Sequence, residues 1–266
     1  MCGILAVSSQ KYNQIEIAKS LKAIWHRGPD DSGTFISEKQ DAHFGQVRLS
    51  IIDLSYAGHQ PMIDASGRYV ITFNGEIYNF KSLKIELESN YGIINWKSTT
   101  DTEVILEGFS REGRDFLSKL NGIFALAIYD IKDRLMFVLR DPIGIKPLYY
   151  THQFDSYYFS SEIKGLLSFQ NLKRTIRKQS LVDQLAYMYV PEPNTMYEEY
   201  KKVEPGICYT FQDGIQINAT YLFNDLNTKI INCKEDDIAE ILHNTLADSV
   251  KRQLISDVPI SLFLSG

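Results

Sequence analysis

One short stretch in the middle of the chain constrains the fold more than any other, because large and small side chains alternate along it. Phe124, Leu126 and Ile128 share one face of an expected strand, and Ala125 and Ala127 occupy the other face. Large apolar residues on one face and small ones on the other suit a sheet that is packed closely on both sides. The pattern therefore predicts a sheet in the interior of a layered domain.

Further apolar stretches of strand length recur along the first two-thirds of the chain, separated by clusters of proline and glycine. A few helical patterns interrupt these stretches. Many short strands with few helices favour stacked antiparallel sheets covered by helices, an α+β fold, over a regular parallel α/β unit. The expected strands are 1–8, 68–73, 124–128, 135–139, 148–150 and 157–159, and the expected helices are 80–87 and 101–109, capped by Asn79 and by a Thr100–Glu103 capping box.

The last fifty residues differ in character from the rest. An apolar stripe at helical spacing predicts a helix over 235–254, and 257–264 has the apolar composition of a buried strand. A helix followed by a strand is typical of the start of another domain. We therefore predict one domain over 1–215 and a second region over 216–266, with the polar stretch 224–233 as a linker.

The composition narrows the function classes. A net charge of −5 gives no reason to expect nucleic acid or an anionic membrane as a partner. The chain contains no run of about 18 apolar residues and no secretory signal. Its three cysteines, Cys2, Cys208 and Cys233, are too scattered for a disulfide framework or a zinc site. We expect a cytoplasmic protein without a metal ion.

Cys2 directly follows Met1, so removal of Met1 would leave cysteine at the N-terminus. An N-terminal cysteine combines a thiol with a free α-amino group, whose ordinary pKa of about 7.7–8.0 suits a general base. The thiolate is the reactive form of the side chain. Considered alone, Cys2 is better explained as a small buried residue at the start of a strand.

Three other sites have two interpretations each. The Asn74-Gly75 pair favours either a tight hairpin turn or an oxyanion hole, in which the Asn74 amide and the Gly75 backbone N–H donate to a developing negative charge. Arg48 is either a solvated residue at a strand end or a partner for a carboxylate. Asp101 is either a favourable charge at a helix N-terminus or a ligand for an ammonium group. Arg48 and Asp101 together would hold both ends of an α-amino acid.

These segments, in this order, resemble the class II glutamine amidotransferases and, among them, the asparagine synthetases. The stretch 191–195 followed by Pro205-Gly206 separates asparagine-synthetase-like chains from relatives that aminate sugar phosphates or phosphoribosyl substrates. The other similar segments are 1–4, 26–33, 48–52, 74–79, 101–106 and 140–149.

The resemblance implies a four-layer αββα sandwich of two antiparallel sheets, the N-terminal nucleophile hydrolase fold. It implies that Cys2 attacks the side-chain amide of L-glutamine, that ammonia leaves, and that water hydrolyses the glutamyl thioester. Asn74 and Gly75 would stabilise the oxyanion, and no metal or cofactor is expected for this half-reaction. The implied glutamine-binding residues are Arg48 for the α-carboxylate, Glu76 and Asp101 for the α-ammonium, Asn74 and Gly75, and Leu49, Ser50, Ile51 and Ile52 along the pocket.

The segment 257–266 resembles the start of an ATP-dependent synthetase domain. In the family it continues into a loop whose backbone N–H groups bind the pyrophosphate of ATP, and here Leu264, Ser265 and Gly266 form only an incomplete match. We expect a synthetase domain that uses ATP and Mg to be missing or separate, so that the chain alone at most hydrolyses glutamine. The resemblance also suggests a homodimer.

The leading interpretation is a glutaminase that supplies ammonia for the amidation of aspartate to asparagine. A second interpretation keeps the glutaminase and changes the acceptor, for example to a sugar carboxylate. A third is a non-catalytic regulatory module. The presence of Cys2, Arg48, Asn74, Gly75 and Asp101 argues against this third interpretation.

Overall fold

The computed structural model describes residues 1–10, 17–223 and 234–264. The strands expected in the first two-thirds of the chain are present, and others join them. The strands are β1 Gly3–Ser9, β2 Asp31–Ile36, β3 Ala42–Arg48, β4 Met62–Ile63, β5 Tyr69–Ile77, β6 Gly122–Asp130, β7 Leu135–Arg140, β8 Tyr149–Gln153, β9 Ser156–Ser160, β10 Tyr200–Lys202, β11 Ile207–Gln212 and β12 Ile215–Tyr221. The helices are α1 Ile17–Ala23, α2 Phe80–Tyr91, α3 Asp101–Glu112, α4 Ile163–Leu167, α5 Lys178–Tyr187 and α6 Glu235–Arg252, with 3-10 turns at Trp25–Arg27, Tyr56–Gly58 and Gly113–Lys119.

Within the described residues the strands form two six-stranded sheets, and their neighbouring strands run antiparallel. The first sheet has the order β10-β8-β9-β1-β3-β2, and the second has the order β12-β11-β7-β6-β5-β4. β5 and β6 are paired over their whole length, from Tyr69 opposite Asp130 to Ile77 opposite Gly122. β6 lies in the middle of the second sheet, and β5 lies between β6 and the two-residue edge strand β4.

The alternation of side chains along the strands produces four layers. Ala125 and Ala127 of β6 are buried in the apolar cluster between the two sheets. Leu126, on the other face, belongs to the cluster that includes α2 and α3. On the outer face of the first sheet, Leu5 packs with α1 and Val7 packs with α4. The predicted αββα sandwich is confirmed.

The start of α3 is fixed by side-chain caps. Thr100 Oγ1 accepts from the Glu103 N–H at 3.3 Å, as predicted. The Glu103 carboxylate, however, accepts from the N–H groups of Lys97 and Ser98, at 2.9 and 2.7 Å, upstream of the one that a complete capping box uses. The cap predicted at Asn79 is not made, because its amide bonds to the backbone ahead of β6 instead. The fixed start of α3 holds Asp101 in the first turn.

The region after residue 233 contains the predicted helix but not the predicted strand. The apolar stripe of α6 is about half-exposed. Residues 257–264 form no strand, because a strand needs neighbours for its backbone hydrogen bonds and none of the described strands pairs with this segment. The predicted linker 224–233 lies outside the described residues, and the domain boundary at residue 215 stays a prediction. None of the described helices has the length and apolar character to cross a membrane.

Candidate active site

A cleft with about 640 Å³ of space, partly open to solvent, lies where β5 and the start of α3 approach the N-terminus. It is the place where most of the predicted site residues come together, although they are far apart in the sequence. The predicted residues that line it are Cys2, Arg48, Leu49, Ile51, Ile52, Asn74, Gly75, Glu76 and Asp101.

The edge of β5 forms one wall of this cleft. The Phe73 N–H donates to Gln60 Oε1 at 2.7 Å, and the Ile77 N–H donates to Asp101 Oδ2 at 2.9 Å. Backbone N–H groups point to the same edge of a strand at every second residue. The Gly75 N–H therefore faces the cleft between these two bonds. Because the Asn74-Gly75 pair lies inside the strand, its interpretation as a hairpin turn is wrong.

Glycine is required at position 75 by the neighbouring strand. A Cβ atom there would lie 2.4 Å from the carbonyl O of Ile123 and 2.6 Å from Cβ of Phe124. These contacts are too short for any side chain, and the atom nearest to the added Cβ is backbone that cannot move aside. Only glycine can therefore occupy position 75 while β5 stays paired with β6.

Asn74 projects from the opposite face of β5, between the sheets, and is only 1% exposed. Its Nδ2 is buried and has no hydrogen-bond partner among the described residues. A buried donor without an acceptor costs about 1–3 kcal/mol. An acceptor atom of a ligand in the cleft would recover that energy.

Cys2 lies on the facing side of the cleft. Its Sγ–H donates to the Leu49 carbonyl O at 3.7 Å, and its own carbonyl O accepts from Arg27 Nε at 2.9 Å. Arg27 also pairs with Glu162 at 2.9 Å, so the backbone at Cys2 is held just before β1 begins. Burial raises the pKa of the Cys2 thiol and lowers the pKa of the Met1 amino group.

Two acidic side chains close the end of the cleft. Burial raises the pKa of Asp101 to about 6. Burial and the neighbouring charge of Asp101 raise the pKa of Glu76 to about 7, while the ammonium of Lys146 opposes this rise. Glu76 Oε1 is buried without a hydrogen-bond partner among the described residues. A cationic ligand group would favour the ionised form of both carboxyls.

The other wall is the loop that follows β3, which we call the pocket loop (residues 49–55). Arg48 holds this loop from inside: Nη1 donates to the Ser55 carbonyl O at 3.2 Å, and Nη2 donates to those of Ile52 and Asp53 at 3.1 and 2.5 Å. Gly58 makes room for the guanidinium, since a Cβ there would lie 2.0 Å from Nη2. Arg48 thus shapes the wall that it lines.

Some predicted site residues lie elsewhere. Ser50 does not line the cleft, and its N–H donates to Asp30 Oδ2 at 2.8 Å. Leu264 is almost fully exposed outside any helix or strand, and Ser265 and Gly266 lie outside the described residues. Among the described residues, no group of three or more His, Cys, Asp or Glu side chains is placed to hold a metal ion.

Four polar residues of the cleft were not predicted as site residues: Gln60, Thr100, Thr102 and Lys146. Lys146 belongs to a loop wrapped around Asp141, whose carboxylate accepts from the N–H groups of Ile143, Ile145 and Lys146 at 3.2, 2.9 and 3.0 Å. An Arg-Asp pair heading a Gly- and Pro-containing loop was the available signal for Lys146. Gln60 has no local pattern that could have revealed it.

Comparison with known proteins identifies relatives over the whole chain. A family model described as a glutamine amidotransferase domain matches residues 1–222. Asparagine synthetase [glutamine-hydrolyzing] 1 of Bacillus subtilis is 40% identical over 100% of this chain and 42% of its own length. Putative asparagine synthetase [glutamine-hydrolyzing] 2 of Methanocaldococcus jannaschii is 37% identical over 100% of this chain and 55% of its own length. Amidase chry2 of Gibberella zeae is 34% identical over 94% of this chain and 37% of its own length.

The chain thus spans about half the length, or less, of these curated relatives. Among solved structures, the glutamine phosphoribosylpyrophosphate amidotransferase of B. subtilis superposes with a TM-score of 0.62 at 20% identity, over 83% of this chain and 49% of that one. At that identity the likeness establishes the shared fold alone. With the family model matching most of the chain, we conclude that this protein belongs to the glutamine amidotransferase family, as an enzymatic domain homologous to the glutaminase domains of asparagine synthetases.

Proposed function

We propose that this cleft hydrolyses L-glutamine to glutamate and ammonia through a thioester on Cys2. The observation that carries the proposal is the buried Nδ2 of Asn74, a donor without an acceptor in the same cleft as the Cys2 thiol. The Gly75 N–H faces the cleft beside it. Two fixed donors near a nucleophile are what an oxyanion requires.

Removal of Met1 would place the α-amino group on Cys2 itself. Because burial raises the pKa of the thiol, the thiol needs a base at neutral pH. The α-amine takes the thiol proton as Sγ attacks the amide carbon of glutamine, and the oxyanion receives hydrogen bonds from Asn74 and Gly75. The same proton leaves with the amide nitrogen as ammonia. Water then hydrolyses the thioester, which releases glutamate and restores the thiol.

The two ends of the substrate backbone match the two ends of the cleft. Glu76 and Asp101 receive the α-ammonium group, whose charge lowers the cost of ionising two adjacent carboxyls. Three N–H groups of Arg48 hold the pocket loop, and its remaining donors, with Leu49, Ile51 and Ile52, face the α-carboxylate. This half-reaction uses no cofactor in our proposal.

The ammonia passes to an ATP- and Mg-dependent synthetase domain that amidates aspartate to asparagine, in keeping with the names of the curated relatives. A second candidate keeps the glutaminase and changes the acceptor, for example to a sugar carboxylate. The relative named as an amidase is about as similar to this chain as several asparagine synthetases are, so similarity over this region alone does not select the acceptor. The homodimer and the cytoplasmic location stay predictions.

The decisive experiment measures glutamate release from glutamine by the purified chain, after mass spectrometry has shown whether Met1 is absent. We expect Cys2→Ala to reduce the rate by at least about 10⁴-fold. Cys208→Ala is the matched control, because Cys208 is also a free cysteine but is buried in the apolar cluster beneath α3. Equal rates for Cys2→Ala and wild type would overturn the mechanism. No release from folded, processed wild type would favour the non-catalytic module.

A further inference from the structure

The segment 255–258, beyond α6, returns to the pocket loop and bonds to it. The Asp257 N–H donates to the Ile51 carbonyl O at 2.9 Å. In return, the Asp53 N–H donates to Asp257 Oδ2 at 2.7 Å. One residue therefore bonds to two backbone groups of the loop, two positions apart, through its own backbone N–H and its side-chain carboxylate.

Two further contacts dock this segment. Ile255 is partly buried against the apolar cluster formed by β5, β6, α2 and α3. Ser256 Oγ donates to the Val258 carbonyl O at 2.9 Å and accepts from the Val258 N–H at 3.1 Å, which folds the chain around Asp257. The bond between Asp257 and the pocket loop thus has an apolar anchor on one side and a closed turn on the other.

Asp53 is the point of the pocket loop where several constraints meet. Its φ of 56° lies in the left-handed region, which is uncommon for a residue with a side chain. Its carboxylate accepts from the Thr99 N–H at 2.9 Å, just ahead of α3, and its carbonyl O accepts from Arg48. Its N–H is bound by Asp257. Without that last bond, the Asp53 N–H would have to form a hydrogen bond with water. The uncommon backbone conformation would then lose one of the interactions that stabilise it.

We infer that Asp257 is a positioning residue of the glutamine pocket, which acts through Ile51 and Asp53 on the wall that also carries Ile52 and Arg48. This inference rests on the proposed glutaminase function of the cleft. Residues 259–264 next to it are exposed. A displacement of residues 259–264 would therefore be transmitted to the pocket loop through one hydrogen-bonded residue, Asp257.

Steady-state kinetics of glutamate release test this role. Asp257→Ala is expected to raise KM for glutamine about three- to tenfold, the effect of one hydrogen bond, and to leave kcat within about twofold. Asp257→Asn retains an acceptor oxygen and is expected to behave as wild type. Asp248→Ala is the control, because its carboxylate is also exposed but pairs with Arg252 on the same helix. An equal rise of KM in Asp248→Ala, or no rise in Asp257→Ala, would overturn the inference.

Amide hydrogen exchange of the peptide covering residues 49–55 reads the same contact without catalysis. Faster exchange in Asp257→Ala, but not in Asp257→Asn or Asp248→Ala, is expected. Unchanged exchange in Asp257→Ala would refute the role of Asp257 whatever the kinetics show. If the wild-type chain releases no glutamate, the proposed function fails, and the exchange data still decide whether Asp257 holds the loop.

Discussion

The two walls of the cleft are built by opposite means. The strand wall (Asn74 to Glu76) lies within β5, yet its Asn74 Nδ2 and Glu76 Oε1 atoms have no hydrogen-bond partner in the described part of the chain. The pocket loop has no helix or strand, yet Arg48 and the segments around it bind its backbone. A sheet can keep an unsatisfied group in place because the surrounding pairing fixes its position. In our proposal the strand wall stabilises the charge of the oxyanion, and the pocket loop binds the α-carboxylate of glutamine.

Asn74→Ala tests the strand wall and has the largest expected effect in this comparison. Loss of one oxyanion donor should lower kcat about 100- to 1000-fold. The free energy of unfolding should change little, because Nδ2 bonds to no described protein atom and removal of this unpaired buried donor offsets the loss of packing. Kinetics and thermal denaturation measure the two effects.

Thr72→Val is the matched control for Asn74→Ala. Thr72 lies two residues earlier on the same face of β5, and its Oγ1 donates to the Gly45 carbonyl O at 3.3 Å. We expect this variant to keep its kcat. If Thr72→Val lowered kcat as much as Asn74→Ala, the loss would reflect packing between the sheets and not a donor in the cleft.

Arg48→Lys tests the loop wall. A lysine ammonium cannot reproduce the planar fork that reaches three carbonyls of the pocket loop. We expect KM for glutamine to rise about tenfold, with a smaller change in kcat. Arg68→Lys is the control, since Arg68 pairs with Asp130 at the other end of β5. A fall in kcat with KM unchanged would show that both walls serve the chemical step.

Glu76→Gln has the smallest expected effect, on stability. The unfolded carboxyl ionises near pH 4.5 and the folded one near pH 7, so the folded chain binds more protons between these values. The wild-type chain should therefore lose stability as the pH rises through this window. Without substrate, the variant should melt about 2–5 °C above wild type at about pH 8 and show no gain below about pH 4.5.

The control for this measurement is Glu38→Gln, at an exposed turn. A gain in melting temperature for Glu76→Gln that is equal at both pH values would contradict the ionisation of Glu76 as its cause. Loss of glutamine binding in the more stable variant would show that the Glu76 carboxyl lowers the stability of the fold but is needed to bind glutamine.

The sequence correctly predicted the elements whose local pattern and packing favour the same structure. The alternation in β6 predicted a strand between two layers, and Thr100 predicted the start of α3 that holds Asp101. The sequence did not predict residues whose position depends on the path of a loop. Lys146 and Gln60, for example, reach the cleft through turns, and turns carry no periodic signal. The strand expected over 257–264 is wrong for a related reason, since an apolar pattern records burial but does not supply the neighbouring strands.

β5 carries two sets of groups whose roles depend only on odd or even position. Its odd residues 73, 75 and 77 present N–H groups to the cleft, and even residues such as Asn74 project between the sheets. Insertion or deletion of one residue between Tyr69 and Ile77 would exchange these sets. The length of this strand is therefore fixed, and length changes among its relatives should fall before Tyr69 or after Ile77.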